Sequence, residues 1–229
     1  MEERTRAYLR GRFRDHYRRA TVTPPPSANE REWGYIPWRS GGPTMIRHRS
    51  LLDLGDVGDF LARERPRHVY FSAGRYDDPG AGSMGEKGWR GSDLIFDLDA
   101  DHLPTVTPGE DSYAEMLETC KGALYKLLSF LDEDFGFDEL TLVFSGGRGY
   151  HVHVRDPGVQ ELERDARREI VDYVRGIGLD FEELITRETV AGLGRRTPAE
   201  KRTLDVRGGW SKRAHEHVVE LVSELDDTD

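Results

Sequence analysis

Apolar residues follow the spacing of strands and helices along most of the chain. Short apolar or alternating runs predict strands at 68–72, 94–98, 140–144 and 150–154. After Ser112, a helix N-cap residue, apolar side chains recur every three or four positions and predict a helix that extends to Leu131. Strands interspersed with helices indicate an α+β or α/β class, and we expect an α+β fold with a mixed sheet flanked by helices.

Most of the remaining segments are predicted as helices. Helical spacing predicts them at 2–19, 51–65, 159–177 and 181–188, and a last helix begins at Ser211. Thr197, Pro198 and Glu200 stand in the order of a capping box with proline at the first helical position, which predicts a further helix start. The C-terminal third is therefore expected to be helical. Residues 31–49, rich in glycine, proline and aromatics, are expected to form short strands and loops.

The charge balance is acidic and poor in lysine. The 229 residues include 43 Asp+Glu against 33 Lys+Arg, a net charge of −10, and the basic residues are 28 arginines and 5 lysines. This composition is typical of proteins that work in concentrated salt, because net charge keeps their surface hydrated. A genome biased toward arginine codons is the alternative. Hydrophobic residues, at 36%, suffice to form a core.

Composition also excludes several classes of protein. No apolar run is long enough to predict a membrane span and no N-terminal signal region is recognisable, so we expect a cytoplasmic protein. The single cysteine, Cys120, excludes an intramolecular disulfide and an all-cysteine zinc site. Seven arginines between residues 2 and 19 give the first helix a basic face, which either contacts nucleic-acid phosphates or is simply solvated.

Two carboxylates at the end of a predicted strand form the first candidate site. Asp97 and Asp99 follow an apolar Leu-Ile-Phe run. Because residues two apart on a strand share a face, the two carboxylates converge, with their Cα atoms roughly 6–7 Å apart. Such a pair suits Mg²⁺ or Mn²⁺, with phosphates completing the coordination. Solvated acids at a strand end are the structural alternative.

The Asp-x-Asp pattern does not by itself choose a reaction. Haloacid-dehalogenase-type phosphatases and many glycosyltransferases use it as well. The phosphatase pattern usually continues with Gly-Thr, whereas Ala100-Asp101 follows here, and this difference weakens the phosphatase interpretation.

A glycine-rich turn between the strands at 140–144 and 150–154 forms the second candidate site. Its three glycines let backbone N–H groups approach an anion, Ser145 offers a hydroxyl donor, and Arg148 offers a planar guanidinium for phosphate oxygens. His151 leaves the hairpin on the face opposite its apolar neighbours. A tight turn with surface histidines is the structural alternative. A metal-binding strand together with a phosphate-binding turn indicates nucleotidyl or phosphoryl transfer.

Together, the two motifs resemble those of the catalytic small subunit of archaeal and eukaryotic-type DNA primase. The resemblance is carried by FDLDADHLP at 96–104 and SGGRGYHVHV at 145–154, with supporting similarity at 31–33, 46–48 and 70–73. It extends in order over residues 1 to about 175 and has a haloarchaeal character, in agreement with the acidic composition. It implies a primase-like catalytic domain at 1–175, followed by a helical segment, apparently truncated, at 176–229.

The resemblance implies roles for the residues of both motifs. Asp97 and Asp99 would hold the Mg²⁺ or Mn²⁺ ions that activate the primer 3′-hydroxyl and bind the triphosphate. Ser145, Arg148 and His151 would contact the phosphates of the incoming nucleotide.

Further residues and partners are implied in the same way. Glu32 and Arg47 would be neighbours of the nucleotide site. The template would be single-stranded DNA, the substrates nucleoside triphosphates, and the partner a large primase subunit in a heterodimer.

Two features of the family are missing from this sequence. The family has a third catalytic aspartate followed by a basic Arg-Leu-Pro-Gly-type segment, whereas Asp205 lies in a different context. We therefore expect the N-terminal part of a longer subunit or a truncated product. Family members often carry a zinc knot, but Cys120 is alone and His102 has no partner cysteine, so no structural zinc is expected.

Primer synthesis is thus the leading hypothesis for the function. A truncated, non-catalytic module that binds nucleotide or a partner subunit is one alternative. An Asp-x-Asp phosphatase or glycosyltransferase is the other, although it leaves the turn that carries Ser145, Arg148 and His151 without a role.

Overall fold

The computed structural model describes residues 2–39, 44–190, 199–204 and 206–226. The chain divides into two units, one formed by Met1–Ile95 with Pro157–Leu162 and the other by Phe96–Asp156 with Glu163–Asp229. Helices and antiparallel sheets occur in both, which confirms the predicted α+β class at this level.

The first unit is built around a four-stranded sheet. Its elements are α1 (Glu3–Tyr17), β1 (Arg31–Ile36), β2 (Ile46–Arg49), α2 (Leu51–Leu54), α3 (Val57–Glu64), β3 (His68–Tyr76), α4 (Met84–Lys87), β4 (Trp89–Ser92), the start of β5 (Leu94–Asp99) and α6 (Pro157–Gln160). The sheet order is β2-β1-β3-β4, and all three pairings are antiparallel. The strands predicted at 68–72 and within 31–49 are therefore confirmed.

One face of this sheet is covered by α2 and α3. Their apolar residues pack with Trp33 of β1 into a buried cluster that contains Leu54, Val57, Phe60 and Leu61. The single helix predicted over 51–65 is wrong, because Gly55, with φ +77°, ends α2 and Asp56 begins a new helix by accepting a hydrogen bond from Asp59 N–H.

Helix α1 presents a basic surface, as predicted from its arginines. Those at positions 4, 10, 12, 18 and 19 are exposed. The helix is attached through Tyr17, whose hydroxyl donates to the Pro66 carbonyl oxygen at 3.0 Å and whose ring joins the cluster around Trp33. Burial raises the pKa of the Tyr17 hydroxyl.

A buried ion pair joins β1, an inner strand of the first sheet, to the residue that follows β4. The Arg31 guanidinium donates to Asp93 Oδ1 at 2.9 Å, and both side chains are fully buried. The same guanidinium donates to the carbonyl oxygens of Pro26, Ser72 and Ala73, each at 2.9 Å. Because an unpaired buried charge is costly, these four acceptors together make the burial of Arg31 possible.

The second unit contains a smaller sheet. It comprises the rest of β5 from Phe96, α5 (Tyr113–Ser129), β6 (Leu140–Phe144), β7 (Gly149–Val154), α7 (Arg164–Val174), β8 (Ile185–Val190), β9 (Ala199–Leu204) and α8 (Gly209–Asp226). The sheet order is β5-β7-β6, and β8 and β9 form a separate antiparallel hairpin. The strands predicted at 94–98, 140–144 and 150–154 are confirmed.

Helix α5 supplies the core of this unit. The Ser112 hydroxyl accepts from Glu115 N–H and the Glu115 carboxylate accepts from Ser112 N–H, so the predicted helix start is confirmed as a capping box. Met116 and Cys120 then pack against Ala100 and Val106. Hydrogen bonds from the Ser112 hydroxyl and N–H lower the pKa of the Glu115 carboxyl.

Two helix predictions in the C-terminal part are wrong. The segment 181–188 forms a turn and then the start of β8, which pairs with β9 along its whole length and contains the β-branched residues Ile185, Thr186, Thr189 and Val190. The capping-box pattern does not begin a helix, since Ala199 and Glu200 lie in β9, while Thr197 and Pro198 fall outside the described residues. The C-terminal third is consequently not all helical.

The helix predicted over 159–177 is interrupted as well. It is replaced by α6 in the first unit and α7 in the second, with Val159 buried in the former. The two helices are separated at the point where the chain passes from the first unit to the second. The apolar spacing alone does not reveal this boundary.

The Arg31–Asp93 pair generates a stability prediction. Replacing Asp93 with alanine leaves the buried guanidinium without its counter-charge, which should lower the free energy of unfolding by about 3–5 kcal/mol. Urea denaturation in molar KCl measures the change. The matched control is Glu64→Ala, which removes an exposed ion pair with Arg63 and should cost less than about 1 kcal/mol. Equal effects of the two substitutions would contradict the assignment.

Candidate functional site

At the end of β5, side chains that pack in the core alternate with side chains that are available to a ligand. Leu98 and Ala100 face the core beneath α5, and Ala100 is fully buried. Asp97 and Asp99 alternate with them and therefore share the opposite face. Their side chains are 72% and 45% exposed. Both carboxylates are thus available to a ligand in solution.

The glycine-rich turn lies beside this strand end because β7 is the neighbour of β5. A Cβ atom on Gly149 would overlap the Leu98 carbonyl oxygen, so only glycine allows the two backbones to approach this closely. Next to this contact, Ala100 N–H donates to the Arg148 carbonyl oxygen at 3.1 Å. The two predicted motifs are therefore joined by backbone contacts.

Other hydrogen bonds fix the conformation of the turn. The Ser145 hydroxyl oxygen accepts from Gly147 N–H at 3.3 Å and from Gly149 N–H at 3.2 Å. Tyr113, the first residue of α5, donates its hydroxyl to the Gly147 carbonyl oxygen at 2.9 Å. The turn is consequently tied both to itself and to the helix that forms the core below.

Side chains of the turn and of β7 reach the acids of β5. His151 Nε2 lies 3.3 Å from Asp97 Oδ1. The Arg148 guanidinium lies 2.6 Å from Asp101 Oδ2. His102 Nδ1 lies 3.9 Å from Asp99 Oδ2. The structure therefore brings the predicted Asp97, Arg148 and His151 into one group with acids from the β5 end.

Asp101 is a member of this group that the sequence interpretation missed. In the sequence it stands out only as a departure from the phosphatase pattern. Its position just after the strand, in a 3-10 turn whose first N–H groups bond back to Asp99 and Arg148, is the signal that could have found it. In the structure Asp101 holds Arg148, so an anion that binds Arg148 competes with this carboxylate.

The described residues of the site offer a few oxygen atoms that could bind a metal ion. Among the described residues, no group of three or more His, Cys, Asp or Glu side chains is placed to hold a metal ion. Asp97 and Asp99 nevertheless offer two exposed carboxylates on one face, the donor type that Mg²⁺ and Mn²⁺ prefer. Asp205, the other acid considered from sequence, lies outside the described residues.

Cys120 lies beneath the site and does not contribute a ligand. Its Sγ is 3.8 Å from the Leu98 carbonyl oxygen, and the residue is fully buried. Burial, and to a smaller extent the charge of Asp99, raise the pKa of the Cys120 thiol. The neutral thiol, which is a poor metal ligand, is thereby favoured.

Glu32 and Arg47 meet in the first unit. Arg47 Nε lies 3.7 Å from Glu32 Oε1, and His48 contacts the same oxygen through its N–H at 3.0 Å and its Nδ1 at 3.3 Å. Lys87 Nζ lies 3.5 Å from Glu32 Oε2. The Lys87 side chain, which sequence reasoning missed, is almost completely buried, and it also donates to the Pro79 carbonyl oxygen.

Among the described residues, no helix combines the length and the apolar character needed to cross a bilayer.

Comparison with known proteins gives a consistent result. A family model described as DNA primase small subunit matches residues 96–227. A curated relative named DNA primase small subunit PriS, from Haloarcula marismortui, is 71% identical over 227 residues, which cover 98% of this chain and 58% of the relative. The protein of the same name from Natronomonas pharaonis is 66% identical over 229 residues, with coverage of 98% and 58%.

A more distant relative extends the similarity beyond the haloarchaea. The DNA primase small subunit PriS of Methanothrix thermoacetophila is 45% identical over 238 residues, which cover 100% of this chain and 59% of the relative. The chain thus spans less than two thirds of the length of the curated relatives it matches. The matched family segment contains both Asp97 and the glycine-rich turn, and the chain therefore belongs to the DNA primase small-subunit family.

Proposed function

We propose that this chain carries the nucleotide- and metal-binding motifs of a primase small subunit, which joins nucleoside triphosphates into short primers on single-stranded DNA and releases pyrophosphate. The observation that carries the proposal is the attachment of the glycine-rich turn to the end of β5. It places Arg148 and His151, which can bind phosphate, beside carboxylates that can bind a divalent cation. Phosphoryl-transfer sites combine these two elements.

Asp97 and Asp99 are the proposed ligands of Mg²⁺ or Mn²⁺. They fit this role because both are exposed on one face of β5 and carry hard oxygen donors. When bound, the metal neutralises charge on the triphosphate and activates the attacking hydroxyl. His151, 3.3 Å from Asp97, would orient that carboxylate and donate to a phosphate oxygen.

The turn is proposed to bind the triphosphate of the incoming nucleotide. Ser145 accepts two backbone hydrogen bonds, which fix its oxygen and leave its hydroxyl proton to point outward to a phosphate. When nucleotide binds, the Arg148 guanidinium would leave Asp101 and bind the phosphates, because its planar set of N–H donors matches either partner. The nucleotide would thus be held without any large rearrangement of the turn.

Glu32 and Arg47 are proposed as further neighbours of the nucleotide. Glu32 lies beside two cations, Arg47 and Lys87, whose combined charge exceeds that of this one carboxylate. A surplus of positive charge favours an anionic ligand.

The organisation and the partners are proposed on family grounds. Residues 1–175 would form the part of the catalytic domain that carries these motifs, and residues 176–229 would be a segment of the longer subunit. A large primase subunit would complete a heterodimer on the DNA template. The protein would act in the cytoplasm, where an archaeal cell keeps its chromosome.

The small number of carboxylates placed to hold a metal ion favours a second candidate function, a truncated module that binds nucleotide. Two cations are usually held by more than two acids, and among the described residues no third side chain is placed with Asp97 and Asp99 to hold a metal ion, since Asp101 is paired with Arg148. The chain by itself would then bind nucleotide and polymerise slowly. A phosphatase or glycosyltransferase is less well supported, because it gives no role to the turn attached to β5.

Removal of one carboxylate tests the metal assignment. Asp97→Asn or Asp99→Asn should lower primer synthesis on the order of a thousandfold, since a ligand of the cation is lost in the transition state. Incorporation of labelled nucleotides on single-stranded DNA, with Mn²⁺ in molar KCl, measures the effect. Glu110→Gln, an exposed acid of the same unit, serves as control and should change nothing. Unchanged synthesis in either aspartate variant contradicts the assignment.

Arg148 is predicted to act on nucleotide affinity and not on template affinity. Arg148→Ala should weaken triphosphate binding by about 1.5–3 kcal/mol, the range for a charge-assisted hydrogen bond. Calorimetric titration with triphosphate is compared with fluorescence anisotropy on single-stranded DNA. Arg168→Ala removes an exposed arginine of α7 and is the matched control. A loss confined to DNA affinity would show that the turn has been assigned to the wrong ligand.

The second candidate function is tested by comparing this chain with the full-length Haloarcula marismortui relative. Both should bind triphosphate with similar affinity, while the 229-residue chain should synthesise primer far more slowly, because no further carboxylate of the described residues is placed to hold its cations. Both rates are measured at equal concentration with Mn²⁺ in molar KCl. Equal rates would mean that this chain contains the missing ligand, with Asp205 as the first residue to replace.

A further inference from the structure

A buried lysine lies next to Glu32 in the first unit. The sequence has five lysines, all within the described residues, and only Lys87 is buried, with 1% of its side chain exposed. Its Nζ lies 3.5 Å from Glu32 Oε2, donates to the Pro79 carbonyl oxygen and lies 5.5 Å from the centroid of the Tyr76 ring. Because a buried ammonium is costly unless it is paired, Glu32 supplies the counter-charge that this burial requires.

The Tyr76 hydroxyl adds no second negative charge beside Lys87. Burial, and to a smaller extent the charge of Glu32, raise the pKa of this hydroxyl, which therefore stays neutral. The ring covers the ammonium and excludes water from it, since Tyr76 is itself buried. The pairing of Lys87 with Glu32 is thus made in a largely dry environment, where it is stronger than at the surface.

Backbone hydrogen bonds already close the loop that contains Lys87. This loop connects β3 to β4, and Asp77 N–H donates to the Gly88 carbonyl oxygen while Asp78 N–H donates to the Lys87 carbonyl oxygen, each at 2.8 Å. Neither bond uses the Lys87 side chain. The main addition that the ammonium makes is therefore its ionic contact with Glu32.

Glu32 is fixed both at its backbone and at its carboxylate. Its N–H donates to Ser72 Oγ at 3.0 Å. Oε2 faces Lys87, whereas Oε1 accepts from His48 N–H at 3.0 Å and lies 3.7 Å from Arg47 Nε. With 11% of its side chain exposed, Glu32 links the buried ammonium to the edge strand β2.

The residues of β2 that contact Glu32 form a bulge. The pairing of β2 with β1 is irregular, and Arg47 and His48 together stand opposite Gly34. His48 has φ +56°, a left-handed conformation that residues other than glycine rarely adopt. Such a conformation persists where surrounding contacts impose it, and the hydrogen bond from His48 N–H to Glu32 is one of these contacts.

The bulge directs the Arg47 side chain, because a bulge changes the direction in which its residues point. The Arg47 guanidinium has five N–H donors, more than one carboxylate oxygen shared with His48 accepts. Phosphate oxygens match the remaining donors. Lys87 offsets the charge of Glu32, so the carboxylate can hold the bulge without cancelling the positive charge of Arg47.

We infer that Lys87 is a positioning residue for nucleotide binding. Its ammonium fixes Glu32, and Glu32 holds the Arg47–His48 bulge in the conformation that offers the Arg47 guanidinium to a phosphate group of the nucleotide. Lys87 itself does not touch the nucleotide. This inference rests on the proposed function, in which Arg47 is a neighbour of the nucleotide.

Calorimetric titration of the 229-residue chain with ATP and Mn²⁺ in molar KCl tests the inference. Lys87→Met keeps an unbranched side chain and removes the charge, and it should raise the Kd for ATP about tenfold, as should Arg47→Gln. Lys121→Met removes a surface lysine that is paired with Glu118, and this control should leave the Kd unchanged. An unchanged Kd in Lys87→Met would overturn the inference.

A double variant separates positioning from general destabilisation. If Lys87 acts through Arg47, adding Lys87→Met to Arg47→Gln should change the Kd less than about twofold. Independent effects would instead multiply to about a hundredfold. That result would overturn the inference, because damage to the fold does not depend on which side chain stands at position 47.

Glu32→Asp provides the same test if Lys87→Met does not fold. The shorter side chain keeps its charge but cannot reach both Lys87 and His48 N–H, so the Kd should rise severalfold when Arg47 is present. In the Arg47→Gln background the same change should have no effect. The absence of a rise, or an equal rise in both backgrounds, would overturn the inference.

Arg148→Ala distinguishes a failure of this inference from a failure of the proposed function. Weaker ATP binding in Arg148→Ala, with unchanged binding in Lys87→Met and Glu32→Asp, would overturn the inference alone. Unchanged binding in both Arg148→Ala and Arg47→Gln would overturn the inference and the proposed function together.

Discussion

The candidate site depends on the close approach of the Gly149 backbone to the Leu98 carbonyl oxygen. Any side chain at position 149 would push β7 away from β5. The neighbouring hydrogen bond from Ala100 N–H to the Arg148 carbonyl oxygen would then be lost, and with it the position of the turn. The chemistry of two motifs separated by more than forty residues is thus set by one residue that has no side chain.

The acids of β5 and the buried cations of the first unit are accommodated in different ways. In the second unit the acids of β5 stay in solvent while their neighbours Leu98 and Ala100 fill the core, so ionised groups need no buried partner. In the first unit Arg31 and Lys87 are buried, and each is surrounded by acceptors that compensate its charge. The exposed acids remain available to a ligand, whereas the buried and compensated cations favour a single, fixed geometry.

Much of the second unit could be predicted from local sequence. The strands at 94–98 and 140–144 are short apolar runs, and Ser112 with Glu115 specifies where α5 begins, so each was identified without tertiary information. The shared face of Asp97 and Asp99 followed from strand geometry alone. The pairing of Arg148 with Asp101 and of Glu32 with Lys87 could not be predicted, because these contacts join distant segments. The β8–β9 hairpin was missed for a related reason, since pairing overrode a helical pattern.

The range of an electrostatic interaction depends on the salt concentration. In concentrated salt the Debye length falls to about 3 Å at 1 M. The Arg148–Asp101 contact at 2.6 Å survives such screening, but the field of the exposed arginines of α1 does not extend beyond the first water layer. At such a salt concentration these arginines give no long-range steering, so an encounter with any polyanion would be governed by ordinary diffusion and by the contacts formed after collision.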